Sequence, residues 1–313
     1  MKTIYFAVPC YNEEEVLPET SKQLVAKMNS LISAGKISGN SRILFIDDGS
    51  KDKTWQMIEE LHRNEKLISG LKLSRNRGHQ NALLAGLMTA KEHADAVVSL
   101  DADLQDDIDA IDAFIDRYED GCDIVYGVRS SRKTDSIFKR STAQFFYKLM
   151  KWMGAEVVYN HADYRLMSRQ AVVALAEFEE SNLFLRGMVP MVGFRSDKVF
   201  YERKERFAGE SKYPLRKMLS FAMDGILSFS VKPIKMITNL GFFVFMVSII
   251  MLIYFLISYS TGKAVEGWTT IVISTWAIGG LQLLAIGVIG EYIGKIYLET
   301  KRRPKYIIEK FLD

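Results

Sequence analysis

The sequence is poor in cysteine and in net charge. Its 313 residues include two cysteines, Cys10 and Cys122, and its formal net charge is +3. The two cysteines do not have the spacing of metal ligands, so we interpret them as reduced core residues of an intracellular domain. The small net charge gives no electrostatic reason to expect binding to nucleic acid, and we predict no nucleic-acid partner.

Charged residues are absent from two long stretches in the last third of the sequence. Residues 236–261 and 267–290 contain no Asp, Glu, Lys or Arg. Each stretch is longer than the roughly 20 residues that cross a bilayer core. The alternative is a buried hairpin of a large soluble domain, but two adjacent uncharged runs of this length are rare in soluble proteins. We therefore predict a multi-pass protein of the cytoplasmic (inner) membrane.

The flanking charges predict the orientation of the two stretches. Basic residues lie outside the pair at Lys232, Lys235, Lys295, Lys301, Arg302, Arg303 and Lys305. The positive-inside tendency places both termini in the cytoplasm. The apolar residues 3–9 are interrupted by Asn12 and three glutamates before a signal-peptide core could form, so we interpret them as a first strand.

The N-terminal part of the chain, up to Ser130, alternates between short β-rich runs and helical patterns. The β-rich runs are 3–8, 42–46, 70–74, 96–100 and 123–126, and the helical runs are 13–34, 53–63, 79–92 and 108–118. This alternation predicts an α/β fold with a mostly parallel sheet covered on both faces. Ligands of such sheets bind beyond the carboxyl ends of the strands. Polar residues follow four of these ends, at Tyr11-Asn12-Glu13, Asp47-Asp48-Gly49-Ser50, Arg75-Asn76-Arg77-Gly78 and Asp101-Ala102-Asp103.

Two further stretches have an amphipathic pattern. Residues 136–154 alternate aromatic and other apolar side chains with Lys and Arg, which suits either a membrane surface or a helix that covers the sheet. Residues 215–229 carry apolar side chains at helical spacing and lead directly into the first uncharged stretch, which favours an interfacial helix. The predicted organisation is a cytoplasmic α/β domain over 1–213, an interfacial helix over 214–235, and a two-helix membrane region with a short cytoplasmic tail over 236–313.

The motif Asp101-Ala102-Asp103 is the central candidate for chemistry. It follows an apolar run, so a strand is expected to end at the two carboxylates. Mg²⁺ and Mn²⁺ take oxygen ligands and bridge carboxylates to substrate phosphates, and Gln105 could add a neutral oxygen. The alternative is a solvated acidic loop before the next helix.

A second acidic pair, Asp47-Asp48, also follows a strand and precedes a helix. Taken alone, it favours a plain turn in which Asp52 or Ser50 caps the helix. The functional alternative is that an Asp carboxylate accepts a hydrogen bond from a nucleobase or a ribose.

The combination of motifs resembles glycosyltransferase family 2. The motifs occur in the order Val8-Pro9-Cys10-Tyr11-Asn12-Glu13, Asp47-Asp48-Gly49-Ser50-Lys51-Asp52, Ser74-Arg75-Asn76-Arg77-Gly78, Asp101-Ala102-Asp103-Leu104-Gln105 and Arg206-Phe207-Ala208-Gly209-Glu210-Ser211-Lys212-Tyr213. Within that family the chain is similar to the polyprenyl-phosphate glycosyltransferases, which include dolichol-phosphate mannose synthase and the bactoprenol glucosyltransferases. The two uncharged stretches and the segment from Asp163 to Arg169 resemble the bactoprenol type.

The resemblance implies a GT-A fold, an inverting transfer and a set of site residues. It implies nucleotide contacts at Pro9, Tyr11, Glu13, Asp47, Asp48 and Arg75, and a metal ion, Mg²⁺ or Mn²⁺, on Asp101, Asp103 and Gln105, with Ala102 between them. It also implies phosphate contacts at Arg129, Arg132, Arg140, Arg206, Ser211 and Lys212, since arginine binds phosphate in a bidentate manner. Arg206 and Asp163 are the implied catalytic residues.

The sequence is compatible with more than one role for Asp163. A lipid phosphate is already anionic near neutral pH, so Asp163 could orient the acceptor or take a proton from a monoanionic phosphate. The alternative is a helix N-cap before Arg165. His79 and His161 are other candidates, although each is more simply explained as a structural or solvated histidine.

The predicted function is transfer of a single hexose, with UDP-glucose as the first choice of donor, to polyprenyl (undecaprenyl) phosphate in the lipid bilayer. The alternatives are N-acetylglucosamine, galactose or mannose donors, a processive polysaccharide synthase, and a catalytically dead sugar-binding scaffold. A processive synthase would need more membrane helices and a Gln-x-x-Arg-Trp motif, which the sequence lacks. The small residues Gly279, Gly280, Gly287 and Gly290 could permit helix contacts in a homo-oligomer.

Overall fold

A computed structural model of the chain describes residues 1–130, 161–180, 183–202, 232–260 and 267–313. The chain divides into two compact units. The first unit contains the N-terminal α/β part together with Arg303–Asp313, and the second contains two long C-terminal helices.

The α/β unit is built from strands that alternate with helices. The strands are β1 (Ile4–Cys10), β2 (Arg42–Asp47), β3 (Ile68–Leu73), β4 (Ala96–Ser99), β5 (Ile124–Arg129), β6 (His161–Ser168), β7 (Ser196–Tyr201) and β8 (Ile308–Leu312). The helices of this unit are α1 (Leu17–Ser33), α2 (Thr54–Asn64), α3 (His79–Ala90), α4 (Ala110–Glu119), α5 (Arg169–Ala176) and α6 (Leu185–Met191). The strands and helices predicted before Ser130 are therefore confirmed, with ends that shift by a few positions.

The described strands form one eight-stranded sheet in the order β7-β5-β6-β4-β1-β2-β3-β8. The pairs β1–β2, β1–β4, β2–β3 and β5–β7 are parallel. The pairs β4–β6, β5–β6 and β3–β8 are antiparallel. The predicted mostly parallel α/β sheet is confirmed, and its four central parallel strands bring their carboxyl ends to one edge.

The burial of β1 is consistent with its parallel pairing on both sides. All seven residues of β1 are buried, as expected for a parallel strand with helices on both faces. Helix α3 packs closely on β2 at Gly86, where an added Cβ would lie 2.6 Å from Ile46 Cδ1. This close approach fixes the position of α3, whose first residue His79 lies next to the carboxyl edge of the sheet.

Strand β6 replaces the helix start that the sequence suggested near Asp163. Asp163 lies within β6, so the interpretation of this residue as a helix N-cap is wrong. The helix that follows begins at Arg169, and Ser168 Oγ accepts the capping hydrogen bond from the Ala171 N–H at 3.1 Å. The sequence does not predict β6 as a buried strand, because Asp163 and Arg165 are charged and charged side chains are usually exposed. In the structure both side chains are buried and form an ion pair.

Within the described residues, the second unit contains the helices α7 (Lys232–Ser260) and α8 (Trp268–Thr300). Within the described part of the chain, one helical segment, Ile278–Thr300, is long and apolar enough to cross a membrane. The two predicted spans are therefore not confirmed. The predicted basic aromatic segment at 136–154 and the core of the predicted interfacial helix at 215–229 lie outside the described residues.

The C-terminal residues form β8 in the sheet, whereas the sequence predicts a short tail of the membrane region there. β8 pairs antiparallel with β3, and Leu312 lies opposite Gly70. Two ion pairs of 2.7 Å, Lys72–Glu309 and Glu59–Lys310, flank this pairing. β8 therefore covers the edge of the sheet that β3 would otherwise expose.

Deletion of residues 308–313 should destabilise the α/β unit. We expect a loss of about 2 kcal/mol or more, because Leu312, which is partly buried against the core, is removed and the β3 edge loses its partner. Circular-dichroism melting would measure the loss, and light scattering would detect edge-to-edge association. The matched control is the double variant Glu309→Ala, Lys310→Ala, which keeps the strand and should cost less than about 1 kcal/mol per exposed ion pair. Melting of the deletion variant at the wild-type temperature would contradict the role of β8.

Candidate active site

The candidate site lies at the carboxyl edge of β1, β2, β3 and β4. These four strands run parallel, so the polar segments that follow them share one edge of the sheet.

The first segment, after β1, is fastened to the segment after β2. Asn12 donates its backbone N–H to Ser50 Oγ at 3.0 Å, and the Lys51 N–H donates to Asn12 Oδ1 at 2.9 Å. The Glu13 N–H donates to Thr54 Oγ1 at 2.9 Å. Tyr11 lies just before these hydrogen-bonded residues in the sequence, and 40% of its surface is exposed. Pro9 is buried within β1. The two loops therefore form one unit, with Tyr11 open to a ligand.

Asp48, the second carboxylate of the pair after β2, has a structural role. Its side chain accepts backbone N–H bonds from Arg77 at 2.7 Å and Gly78 at 2.8 Å. Burial raises the pKa of Asp48 above its usual range, and the two backbone donors oppose that rise. Asp48 thereby holds the segment after β3, which includes the exposed Arg75.

Asp47 differs from Asp48 in having an unused oxygen. It is fully buried, and its Oδ1 accepts the Ser50 N–H at 3.2 Å. Its Oδ2 is buried and has no hydrogen-bond partner among the described residues. Burial raises the pKa of Asp47. Because an unpaired buried acceptor is costly, this oxygen is the one expected to gain a donor when a ligand binds.

Gly49 brings the β2 and β3 segments together. Its φ is +65°, in the left-handed region, and an added Cβ would lie 2.5 Å from the Arg75 carbonyl carbon and 2.6 Å from the Asn76 nitrogen. Those atoms belong to the backbone and cannot rotate away. Only glycine allows this approach.

The segment after β4 presents its carboxylates on one side and its alanine on the other. Ala102 is buried in the core, and its carbonyl accepts a hydrogen bond from Thr20 Oγ1 at 2.7 Å. Asp101 and Asp103 are both partly exposed, and the Gln105 N–H donates to Asp103 Oδ1 at 3.2 Å. The alternation explains why a small apolar residue separates the two acids.

Asp101 lies close to other carboxylates and to His79. Burial raises its pKa to about 6; His79 opposes the rise, and nearby carboxylates such as Asp106 and Asp163 add to it. Among the described residues no group of three or more His, Cys, Asp or Glu side chains is arranged to hold a metal ion by itself. Asp101, Asp103 and Gln105 nevertheless fit a Mg²⁺ or Mn²⁺ ion that shares its ligands with a phosphate, because they offer hard oxygens and a cation would relieve the crowded carboxylates.

The acidic segment is also fixed on its far side by Asp106. Its Oδ1 accepts hydrogen bonds from the Tyr201 hydroxyl at 2.5 Å and from Arg129 Nη2 at 3.5 Å. Arg129 Nε also donates to the Tyr201 hydroxyl at 3.3 Å. Arg129, predicted to contact phosphate, is thus tied to the acidic segment through Asp106 and Tyr201.

Asp163 lies at the centre of a buried ion cluster. It is 4% exposed, and its Oδ1 accepts a hydrogen bond from Arg165 Nη2 at 2.5 Å. Its Oδ2 accepts bonds from Arg186 Nε at 3.2 Å and Nη2 at 3.0 Å, and from Gln80 Nε2 at 3.2 Å. His79 Nε2 lies 3.7 Å from the same oxygen and 3.6 Å from Asp101 Oδ1. The cluster therefore connects Asp163 with the acidic segment after β4.

The protonation of this cluster follows from its charges. Burial alone would raise the pKa of Asp163, but Arg186, His79 and Arg165 hold it well below its usual range. Burial alone would lower the pKa of His79, but Asp163 and Asp101 raise it. Asp163 is thus a stable carboxylate whose two oxygens are both engaged.

Some of these residues are predicted from the sequence and others are not. Arg186, Gln80 and Tyr201 were not predicted, because their partners lie 23 to 95 residues away in the sequence. His79 was named only as a minor candidate, yet it lies between two predicted site carboxylates. Five predicted site residues, Arg132, Arg140, Arg206, Ser211 and Lys212, lie outside the described residues.

Comparison with known proteins gives consistent results over nearly the whole chain. The profile of the family described as Glycosyl transferase family 2 matches residues 5–175. The chain is 56% identical to the "Uncharacterized glycosyltransferase YkoT" of Bacillus subtilis (strain 168), and the match covers 96% of this chain and 90% of the relative. It is 40% identical to the "Prophage bactoprenol glucosyl transferase homolog" of Escherichia coli (strain K12), with 98% of each chain covered. It is 41% identical to the "Bactoprenol glucosyl transferase" of Shigella phage SfII, with 98% of this chain and 97% of the relative covered.

Substitution Gly49→Ala should destabilise the α/β unit by about 1 to 3 kcal/mol, because the added methyl group meets backbone atoms that must shift. The matched control is Gly39→Ala, where an added Cβ meets nothing within 4 Å; it should change stability by less than about 0.5 kcal/mol. Thermal unfolding followed by circular dichroism would compare the two variants. Equal unfolding temperatures for both would contradict the tight contact at Gly49.

Substitution Asp163→Asn should destabilise the protein by about 3 to 5 kcal/mol at neutral pH, because it leaves buried Arg165 without its counter-ion. The matched control is Asp197→Asn, whose partner Arg117 is about half exposed; it should cost less than about 1 kcal/mol.

The pH dependence of this difference tests the low pKa of Asp163. Its carboxylate has a depressed pKa in the folded state, so its contribution is complete above the unfolded value of about 3.9 and is lost as the pH falls through the folded value. The unfolding free energies of the wild type and Asp163→Asn should therefore differ by an amount that does not shrink from neutral pH down to about pH 5. The difference should widen where His79 takes up its proton, because Asp163 raises the pKa of His79 in the wild type. If the difference in unfolding free energy became smaller between neutral pH and about pH 5, the pKa of Asp163 would be higher than its contacts indicate.

Proposed function

The chain belongs to glycosyltransferase family 2, and from this we propose that it transfers one hexose from a nucleotide sugar to the phosphate of a polyprenyl phosphate at the cytoplasmic face of a membrane. The observation that carries the proposal is the meeting of Asp101, Asp103 and the unpaired oxygen of Asp47 at one edge of the sheet. The relatives named bactoprenol glucosyl transferases, which this chain matches over 98% of its length, support the lipid acceptor and the glucosyl group.

The donor is proposed to be UDP-glucose. The buried oxygen of Asp47 suits a donor group of the nucleoside, such as a base N–H or a ribose hydroxyl. Tyr11 and Glu13 lie on the loop that is clasped to the same turn. Asp48 contributes indirectly, because it holds the Arg77–Gly78 backbone. Donors with N-acetylglucosamine, galactose or mannose would use the same nucleotide contacts.

Asp101, Asp103 and Gln105 would hold Mg²⁺ or Mn²⁺ beside the diphosphate. Such an ion stabilises, as a Lewis acid, the charge that develops on the leaving nucleoside diphosphate. Arg129 donates a hydrogen bond to the Tyr201 hydroxyl, which in turn donates to Asp106. These contacts fix the orientation of the acidic segment. Arg132, Arg140, Arg206, Ser211 and Lys212 are proposed, from the family resemblance, to add phosphate contacts.

The transfer itself is proposed to be a direct displacement with inversion. An oxygen of the acceptor phosphate forms a bond to the anomeric carbon, while the bond from that carbon to the diphosphate breaks and the nucleoside diphosphate leaves with the electron pair. The acceptor oxygen is already anionic, so the step needs little proton transfer. Asp163 has both oxygens engaged and a low pKa, so we propose that it orients the cations around it and does not act as the base.

The sheet topology supports an even number of membrane crossings. β8 follows α8 and pairs with β3, so the N-terminal strands and the C-terminal strand share one sheet. A single sheet lies on one side of a membrane, and the chain between β7 and β8 must therefore cross it an even number of times. Because Ile278–Thr300 is a candidate span, we propose that α7 provides the second crossing in a multi-pass inner-membrane protein with both termini in the cytoplasm.

The proposed organisation follows from that topology. Residues 1–213 form the cytoplasmic GT-A domain, 214–235 the interfacial helix, and 236–302 the two membrane helices, while 303–313 return to the cytoplasmic sheet. Assembly of a homo-oligomer through Gly279, Gly280, Gly287 and Gly290 stays a prediction. The processive-synthase and dead-scaffold alternatives are disfavoured, because the sequence has no Gln-x-x-Arg-Trp motif and its acidic motif is intact.

The experiment is a transfer assay with the purified full chain, undecaprenyl phosphate, Mg²⁺ or Mn²⁺ and a panel of nucleotide sugars, with the lipid product identified by mass. The wild type should form a lipid that carries one hexose, and Asp103→Ala should lower the rate by roughly 100-fold or more, since a metal contributes several kcal/mol. The matched control is Asp109→Ala, which removes an exposed carboxylate from the same acidic region and should leave transfer unchanged. Absence of product with every donor would refute the proposed reaction, and unchanged transfer by Asp103→Ala would refute the metal role.

A further inference from the structure

The acidic segment after β4, residues 101–107, begins with a contact to α1. Thr20 of α1 is fully buried, and its Oγ1 donates a hydrogen bond to the Ala102 carbonyl at 2.7 Å. Ala102 itself is buried in the core. The backbone directly after Asp101 is therefore held by a side chain from another element.

The other end of the acidic segment is held by two buried tyrosines. The Tyr201 hydroxyl, on β7, donates to Asp106 Oδ1 at 2.5 Å. The Tyr164 hydroxyl, on β6, donates to the Asp107 carbonyl at 2.8 Å. Tyr164 is 1% exposed and Tyr201 is 4% exposed, and a buried tyrosine hydroxyl usually has a hydrogen-bond partner. The two hydroxyls therefore specify where this end of the segment lies.

Gly127 allows the two tyrosine rings to meet. It lies in β5, between the strands that carry Tyr164 and Tyr201. An added Cβ at Gly127 would lie 2.8 Å from the Tyr164 carbonyl oxygen and 3.1 Å from Tyr201 Cε1. The rings make an edge-to-face contact with their centroids 5.2 Å apart, and the Phe114 ring packs on Tyr164 at 4.7 Å. Because the rings are tightly packed, the hydroxyls have little freedom to follow a displaced acceptor.

The backbone between the two ends of the segment adopts a conformation that leucine disfavours. Leu104 has a φ of +56°, in the left-handed region, where its Cβ crowds the following carbonyl oxygen. The Gln105 N–H donates to Asp103 Oδ1 across this residue at 3.2 Å. Such a conformation persists where the surrounding structure enforces it. The contacts at both ends of the segment provide that constraint, so they also fix the positions of Asp103 and Gln105.

We propose that Tyr201 and Tyr164 are positioning residues of the metal site, which hold the acidic segment in the conformation that offers Asp103 and Gln105 to Mg²⁺ or Mn²⁺. The inference rests on the proposed function for the presence of that ion. Groups that orient metal ligands raise the metal affinity, because the ligands are ordered before the ion binds. The tyrosines act through the segment and not by contact with the ion.

Mn²⁺ binding by the full chain in detergent micelles tests this inference. Electron paramagnetic resonance of free Mn²⁺, titrated in the presence of uridine diphosphate, measures the affinity independently of sugar transfer. Tyr201→Phe removes the hydroxyl but keeps the ring that packs on Tyr164, so the variant should fold. We expect its Mn²⁺ affinity to fall by roughly 10-fold or more, the loss that is typical when a group that orients a metal ligand is removed.

Tyr118→Phe is the matched control. The Tyr118 hydroxyl donates to the Asp95 carbonyl at 3.3 Å, and Asp95 precedes β4, whereas the acidic segment follows it. The control removes the same atom from a partly buried tyrosine and should keep the wild-type Mn²⁺ affinity. If Tyr201→Phe does not give a cooperative melting curve, Tyr164→Phe provides the test, with the same expected loss, because it removes the hydrogen bond to Asp107.

The outcomes distinguish this inference from the proposed function. If the hydroxyls served only the fold, folded Tyr201→Phe, or Tyr164→Phe when it provides the test, would bind Mn²⁺ with wild-type affinity. That result would overturn the inference even if the wild type transfers sugar. An equal loss in Tyr118→Phe, or no Mn²⁺ binding by the wild type, would overturn it as well. If Mn²⁺ binding depends on the tyrosine hydroxyl but no lipid-linked sugar forms with any donor, the positioning role stands and the proposed reaction fails.

Discussion

Burial of one carboxylate, Asp163, constrains the geometry of the whole site. A buried carboxylate is tolerated only with counter-ions and hydrogen bonds, and Arg165, Arg186 and Gln80 provide them. The backbone carbonyl of Asp163 also accepts a hydrogen bond from Ser99 Oγ at 2.5 Å, at the end of β4. The ion cluster therefore links β4, β6, α3 and α6, and it fixes where the acidic segment after β4 begins.

The parallel arrangement of the strands explains why the candidate site residues lie at one edge of the sheet. β1, β2, β3 and β4 end at the same edge. The loops after β1, β2 and β3 are joined by the hydrogen bonds from Asn12 to Ser50 and from Arg77 to Asp48, and by the close approach of Gly49 to the Arg75 backbone. The same sheet also includes β8, which pairs with β3. The fold and the candidate site thus depend on one sheet.

Local patterns predicted the parts of this structure that depend on neighbouring residues. The strands and helices before Ser130 follow from apolar runs and helical spacing, and Asp101 and Asp103 were found because they end such a run. β6 was missed because its buried Asp163 and Arg165 look like surface residues in the sequence, and β8 was missed because its partner β3 lies in the first third of the chain. The different roles of Asp47 and Asp48 depend on the Arg77 and Gly78 backbone, which no single-sequence pattern encodes.

The central claim is that the carboxyl edge of β1, β2 and β4 binds the nucleotide sugar and its metal ion. An experimental structure of the full chain with Mn²⁺ and uridine diphosphate, using the anomalous scattering of manganese, tests it most directly. The account predicts a manganese peak between the carboxylates of Asp101 and Asp103, with the diphosphate beside it and the nucleoside next to Asp47. A manganese peak elsewhere, or a diphosphate bound away from this edge, would contradict the account.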